Sequence, residues 1–311
     1  MNKKNILSKQ FKDYFKELLQ KEAKEFFEWS LKPLNSCIRI NTLKINEKEI
    51  IERLEKKGWV FNKIGFVPNG YKVIEKPNPI GKSLEHLLGY FYVQESASMI
   101  PPIVLNPEKH SIVLDIAAAP GSKTTSIAQI MKNTGIIVAN EPEMNRLRVL
   151  RSNIQRMGVI NTIITRMDGR SFRKIPQKFN YVLLDAPCSA SGTVRRNLHI
   201  PKMWSLKAVE KLSKLQKQLI LSSFDSLEQN GTLVYSTCSV TVEENEEVID
   251  FLLEKRRTAK IEKINLKLKK HEPILEWKKK EFHKSIKNAL RILPQDNDSE
   301  GFFVCKIKRV E

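Results

Sequence analysis

Apolar residues in this chain follow two rhythms, and the change between them falls near residue 100. Over residues 5–29, Phe11, Phe15, Leu18, Leu19 and Phe26 or Phe27 recur near helical spacing with charges between them, which predicts helix. Pro33 and Asn35 end that element. A strand is predicted at 37–40, a helix at 47–57, and shorter strand-like runs at 71–74 and 90–93. This mixture predicts a small α+β domain over residues 1–95.

After Pro101 and Pro102 the pattern becomes a regular alternation. Strands are predicted at 112–116, 135–139, 161–165, 179–184, 232–235 and 302–307, and helices at 123–131, 143–157, 207–227 and 243–253. Repeated strand-helix units predict an α/β domain over residues 96–311, built on a parallel sheet covered on both faces. No repeat of fixed period and no low-complexity linker interrupts it.

In such a sheet the loops at the carboxyl ends of the strands line the ligand crevice. Two cysteines are delivered there: Cys188 in LLDAPCSASGT and Cys238 in GTLVYSTCSV, each directly after a predicted strand. Free cysteines are commonly small core residues. These two differ in lying beside Asp185 and Pro187, and beside Ser236 and Thr237. Paired thiols suit a reaction that needs a nucleophile and a second sulfur group.

The segment LDIAAAPGSKTT (114–125) runs from a strand through small residues into a helix. Ala117, Ala118, Ala119 and Gly121 let backbone approach a ligand, and a helix start favours an anionic group. The P-loop pattern fails, because Ser122 rather than glycine precedes Lys123. A carboxylate fits better, such as that of the methionine part of S-adenosylmethionine. Glu141, after the second strand, is placed to bond ribose hydroxyls, and Asp168, after the third, to accept from an adenine amine.

Formal net charge is +19, a field that favours polyanions and makes binding salt-dependent; a lysine-decorated solvated surface is the other reading. Residues 255–291 are heavily basic and interrupted by Trp277 and Phe282. They read either as a solvated helical face with a loop or as an edge contacting nucleic acid. Cys37, Cys188, Cys238 and Cys305 form no Cys-x-x-Cys pair and the five histidines are scattered, so neither a metal site nor a disulfide framework is expected. With no apolar run of membrane-spanning length and no secretory leader pattern, the expectation is a cytoplasmic protein.

Several segments together carry a family resemblance: IRINTLK (38–44), YVQESASMIPP (92–102), LDIAAAPGSKTT, LLDAPCSASGTVRRN (183–197), GTLVYSTCSVTVEENE (231–246) and RILPQDNDSEGFF (291–303). In these the chain resembles the Nol1/Nop2/Sun (RsmB/NOP) group of RNA cytosine-5 methyltransferases, of the archaeal tRNA-enzyme type. The resemblance implies a Rossmann-like class I methyltransferase domain with a seven-stranded, mostly parallel sheet, preceded by an RRM-like RNA-binding segment. It implies S-adenosylmethionine as cofactor, held by Ala117, Ala118, Ala119, Pro120, Gly121, Ser122, Lys123, Glu141, Arg146, Asp168 and Asp185. Two positions depart from the family: Ala117 stands where many members have cysteine, and Ser122 where most have glycine.

The same resemblance assigns Cys238 as the nucleophile on carbon 6 of cytosine and Cys188 as the group assisting product release. Asp185 would bond the cytosine edge, and Lys123 would supply positive charge favouring a thiolate. Arg195 and Arg196 are candidates for RNA phosphates, or are simply solvated. Trp204 is a candidate for stacking on a flipped base, or for the core. Compact size leans toward tRNA over rRNA as substrate; no membrane, metal or protein partner is implied. A DNA cytosine-5 enzyme would make Cys188 the attacker, and an amino-group methyltransferase would show Asp/Asn-Pro-Pro-aromatic where this chain has Asp185-Ala186-Pro187-Cys188. An idle RNA-binding assembly factor is the alternative outside enzymes.

Overall fold

The computed structural model describes residues 6–311. Packing divides the chain into two units. One comprises the residues through Leu34 with Ala186–Leu221 and Tyr235–Ile307; the other comprises Asn35–Asp185, Ser222–Val234 and Lys308–Glu311.

The second unit opens with four strands: β1 (Cys37–Ile40), β2 (Val60–Lys63), β3 (Gly70–Glu75) and β4 (Phe91–Val93). With the helices Glu47–Glu55 and Leu84–Leu87 they run in β-α-β-β-α-β order, in an antiparallel sheet ordered β2-β3-β1-β4. Strand alternation sorts the side chains of β1. Ile38 and Ile40 face a core with Ile50, Leu54, Trp59, Val73 and Phe91, while Cys37 packs with Ile64, Val67 and Met99. Each of these large apolar side chains contributes about 1.5–3 kcal/mol by leaving water. The strand β2 was not legible in the sequence: its residues are mostly exposed at a sheet edge, so no apolar alternation marks it.

Five further strands begin or lie in this unit: β5 (Ile112–Asp115), β6 (Ile136–Asn140), β7 (Thr162–Thr165), β8 (Phe179–Asp185) and β9 (Leu227–Thr237). The pairs β5–β6, β5–β8 and β6–β7 are parallel. Val113, Leu114, Val182 and Leu183 are fully buried, which explains their near-continuous apolar reading. Along the chain follow β10 (Ala259–Glu262), the hairpin β11 (Glu276–Trp277) and β12 (Lys280–Glu281), β13 (Leu290–Ile292) and β14 (Phe302–Arg309). The large sheet has eight strands, in the order β10-β14-β9-β8-β5-β6-β7 with β13 antiparallel on β14. The result is the Rossmann-like α/β class with a small α+β sheet before it.

The first unit is held by aromatic rings. The helices Lys9–Leu19 and Ala23–Ser30 bring Phe11, Tyr14, Phe15 and Phe26 together, and Trp204 meets Phe11 edge-on at 5.6 Å. Trp204 is therefore a core residue and not a stacking platform. The basic stretch 255–291 forms no helical face. It contains β10, the β11–β12 hairpin and a short 3₁₀ turn at Lys284–Asn288, with Phe282 buried. Trp277 turns inward, its Nε1 donating to Glu243 at 3.1 Å.

Candidate active site

In the second unit, β5 ends at Asp115 and the chain turns through Ala117–Gly121 into the helix Ser122–Ile130. Gly121 sits at φ +102, where a β-carbon is disfavoured, and the helix start has no side-chain cap. Its first amides are thus not satisfied by a side chain, as an anion-binding helix start requires. Asp115 lies beneath this turn. Its Oδ2 accepts from Thr124 Oγ1 at 2.7 Å, and burial pushes its carboxyl up to about 7.

The adjoining loops are tied by Asn140, at the end of β6. Its amide donates to the carbonyls of Ile116 and Met167, and its oxygen accepts from Thr165 Oγ1 and the Met167 amide. Nothing in the sequence singled out Asn140, because its role is carried by geometry between three strand ends. Next to it, Glu141 is buried. Oε1 accepts from the Glu143 amide, and Oε2 lies 3.4 Å from Arg146 Nη1 but has no hydrogen-bond partner among the described residues. A buried carboxylate oxygen with spare accepting capacity suits hydroxyl donors such as those of a ribose. Arg146 also donates to the Ala119 carbonyl at 2.8 Å. Asp168 is exposed, and Arg170 forks onto its carboxylate; those hydrogen bonds hold its pKa low.

Lys123, in the first turn of that helix, donates to Asp185 Oδ2 at 2.6 Å and to Ser98 Oγ at 3.0 Å. The ammonium is buried while the carboxylate is partly open.

The two thiol loops belong to the first unit. Cys188 Sγ and Cys238 Sγ are 3.1 Å apart, and both residues are half-buried. The Gly192 amide donates to the Cys238 carbonyl at 3.0 Å; a β-carbon on Gly192 would stand 2.8 Å from that oxygen and 2.2 Å from the Gly301 carbonyl, so only glycine fits. Below the Cys238 loop, Arg291 and Glu246 form a fully buried ion pair, and Arg291 also donates to the Val240 carbonyl. The Cys188 thiol is pushed well above its ordinary value, first by its hydrogen bond with Cys238, then by burial and by the Cys238 and Glu244 charges. Of the pair, Cys188 keeps its proton longer than an ordinary thiol.

Arg195 does not reach outward for RNA. Its guanidinium is buried and donates to the carbonyls of Lys32, Pro33 and Ser299 and to Asp298. The sequence places it beside Arg196, yet only Arg196 is exposed, and it pairs with Glu300 at 3.4 Å. Cys37 and Cys305 are core residues, and burial pushes the Cys305 thiol up. Among the described residues no group of three or more His, Cys, Asp or Glu side chains is close enough to hold a metal, and no helix is long and apolar enough to cross a membrane.

An eight-stranded sheet with a small-residue turn after β5 and an acidic residue directly after β6 is the arrangement of a class I methyltransferase. The chain belongs to the family described as 16S rRNA methyltransferase RsmB/F, which it matches over residues 102–308; residues 7–96 match the N-terminal domain of 16S rRNA methyltransferase RsmF. It is 44% identical to a tRNA (cytosine(49)-C(5))-methyltransferase of Pyrococcus abyssi, over 96% of this chain and 98% of that protein. It is 40% identical to ribosomal RNA small subunit methyltransferase F of Psychromonas ingrahamii, over the whole of this chain but 65% of that protein. Among solved structures, NSun6 from Pyrococcus horikoshii with SFG superposes with a TM-score of 0.84 at 26% identity, covering 98% of each chain.

Proposed function

We infer that this chain methylates carbon 5 of a cytosine in RNA, with S-adenosylmethionine as methyl donor and tRNA as the substrate class. The observation that carries the reading is the 3.1 Å separation of Cys188 and Cys238 in a chain of this family. The substrate class rests on coverage: the likeness to the archaeal tRNA enzyme runs over nearly all of that protein, that to the ribosomal enzyme over 65%. Residues 1–95 are read as the segment that engages RNA and residues 96–311 as the domain that carries the chemistry, a division that the two family matches support. Such an enzyme works where RNA is matured, and we assign it to the cytoplasm.

The donor fits the residues present. Ala117–Lys123 offer a helix start for its carboxylate, Glu141 a buried oxygen that accepts no hydrogen bond for its ribose, and Asp168, exposed beside Arg170, a carboxylate for its adenine. When bound, it supplies an electrophilic methyl group.

The protein's part is to make carbon 5 nucleophilic. Cys238, as thiolate, bonds to carbon 6, and the displaced π electrons give carbon 5 enamine character. Asp185 bonds the cytosine edge, and its ion pair with Lys123 fixes its orientation. After carbon 5 has taken the methyl group it gives its proton to a solvent water, the C–H bonding electrons rebuild the ring double bond, and the carbon 6–sulfur bond breaks with its electron pair going to Cys238. Cys188, held protonated beside Cys238, is the proton donor that assists this departure.

The test is a pair of variants. Cys238→Ala abolishes methylation and leaves no covalent RNA complex on a denaturing gel, whereas Cys188→Ala accumulates that complex. The reverse pattern would make Cys188 the nucleophile. Failure of the wild-type chain to bind labelled S-adenosylmethionine would favour an idle RNA-binding factor.

A further inference from the structure

Glu244 is fully buried in the first unit, and no cation pairs with it among the described residues. Five donors converge on it instead. Oε1 accepts from the Ser189 amide at 2.8 Å and from Gln216 Nε2 at 3.1 Å. Oε2 accepts from Ser189 Oγ at 2.5 Å, Ser239 Oγ at 2.6 Å and Thr241 Oγ1 at 2.9 Å. A carboxylate with this number of charge-assisted bonds is well compensated in spite of its burial.

The identity of those donors matters more than their number. Ser189 directly follows Cys188 and Ser239 directly follows Cys238. Gln216 donates also to the carbonyl of Pro187, the residue before Cys188, at 2.8 Å. One carboxylate therefore holds the chain on either side of the first thiol and immediately after the second. Ser191 adds to the tie, its hydroxyl 2.8 Å from Ser239 Oγ, which can accept from it while donating to Glu244. Fixing a pair of reacting groups beforehand is worth a large part of the rate, because the cost of orientation is met in folding.

We propose that Glu244 is a positioning residue that clamps the Cys188 loop to the Cys238 loop and so sets the two sulfurs at contact distance. This deepens the two-thiol reading and rests on it. The carboxylate has a second effect that packing alone would not produce. Its charge disfavours a thiolate at Cys188, so the sulfur tied most closely to Glu244 is the one kept as a proton donor.

The decisive measurement reports sulfur geometry without any methyl transfer. In a glutathione buffer, one cysteine thiolate displaces glutathione thiolate from glutathione disulfide to give a mixed disulfide. The other cysteine thiolate then displaces the second glutathione, leaving the internal Cys188–Cys238 disulfide and two reduced glutathiones. The equilibrium, read by mass spectrometry of the linked peptides, gives an effective concentration of one thiol for the other. We expect Glu244→Ala to lower it at least tenfold. Ser239→Ala, which removes one of the five donors, lowers it less and keeps the fold if the full deletion does not. An unchanged value in both variants, with native circular dichroism, overturns the clamp.

A pH profile separates the charge from the shape. In a Cys238→Ser background, the alkylation midpoint of Cys188 moves to lower pH when Glu244→Gln is added; an unmoved midpoint overturns the electrostatic half. Methylation that survives Cys238→Ala and Cys188→Ala would sink the catalytic reading while the disulfide equilibrium still reported on the clamp.

Discussion

Lys123 Nζ and Asp185 Oδ2 stand 2.6 Å apart, joining the helix that follows β5 to the last residue of β8. Strands β5 and β8 are parallel neighbours, so the ion pair bridges two adjacent carboxyl ends. Asp115, at the end of β5, feels both charges: Asp185 raises its pKa and Lys123 lowers it. One lysine thus compensates two carboxylates.

Removing it takes the same positive charge away from both acids. Lys123→Ala is expected to lower kcat/KM by roughly 100-fold or more, in the range seen when an electrostatic partner of a reacting site is lost. Stability falls by about 1–3 kcal/mol, below the cost of breaking a wholly buried pair because Asp185 is partly exposed. Lys123→Arg rescues poorly, since a planar fork does not reproduce contact with both Asp185 and Ser98. Steady-state kinetics and thermal melts check all three outcomes.

Asp115 makes stability depend on pH in a stated direction. Its folded pKa of about 7 lies above its value in the unfolded chain, so the folded form binds the proton more tightly. The contribution is fully present below about pH 4 and is lost as pH rises through 7, amounting to about 4 kcal/mol at most. Asp115→Asn removes this slope. Denaturant melts between pH 4 and 8 should show a flatter profile for the variant than for the wild type.

Most of the strand-helix alternation was legible because its central strands, β5 and β8, are largely buried and therefore apolar along most of their length. Cys37–Ile40 shows the limit of that reading. The sequence marks it as a strand, yet nothing in CIRI says that Arg39 points at the helix Ser122–Ile130. The cofactor turn was legible from its small residues, and the thiols from their place after strands. Glu244 was not, because acids in VEENE read as an ordinary helix start, and only the fold turns that carboxylate toward Ser189 and Ser239. The paired arginines misled for the opposite reason: adjacency in sequence says nothing of which side chain is buried.

Glu141 offers a test of the donor site. Glu141→Gln keeps the shape and loses the charge behind hydrogen bonds to ribose, each worth about 1.5–3 kcal/mol. S-adenosylmethionine affinity measured by calorimetry is expected to fall roughly 10- to 100-fold, with a smaller change in kcat at saturation. An unaltered affinity would remove Glu141 from the donor site.

Arg195 is expected to behave as a structural residue. Arg195→Ala leaves the Lys32, Pro33 and Ser299 carbonyls without their donor and should cost about 3 kcal/mol or more. The dependence of RNA binding on salt should keep its slope. A phosphate ligand would show the reverse, a slope reduced by about one unit with an unchanged melt.

Arg39 decides what the small sheet does. RRM modules read RNA by stacking bases on an open sheet face. Here Arg39 on β1 is buried on that strand's second face, donating to Gln94, Gln129, Thr125 Oγ1 and the Ser122 carbonyl. Tyr92 of β4 extends the same arrangement, with its hydroxyl 3.4 Å from the Pro120 carbonyl. The face therefore grips the start of the cofactor helix, and burial holds the Arg39 guanidinium down to about 10. Arg39→Met retains length without donors, so the loop from Pro120 to Ser122 loses its support. S-adenosylmethionine affinity should drop severalfold and the melting temperature should fall, while affinity for RNA is unchanged. Weakened RNA binding with intact donor binding would instead return this face to nucleic acid.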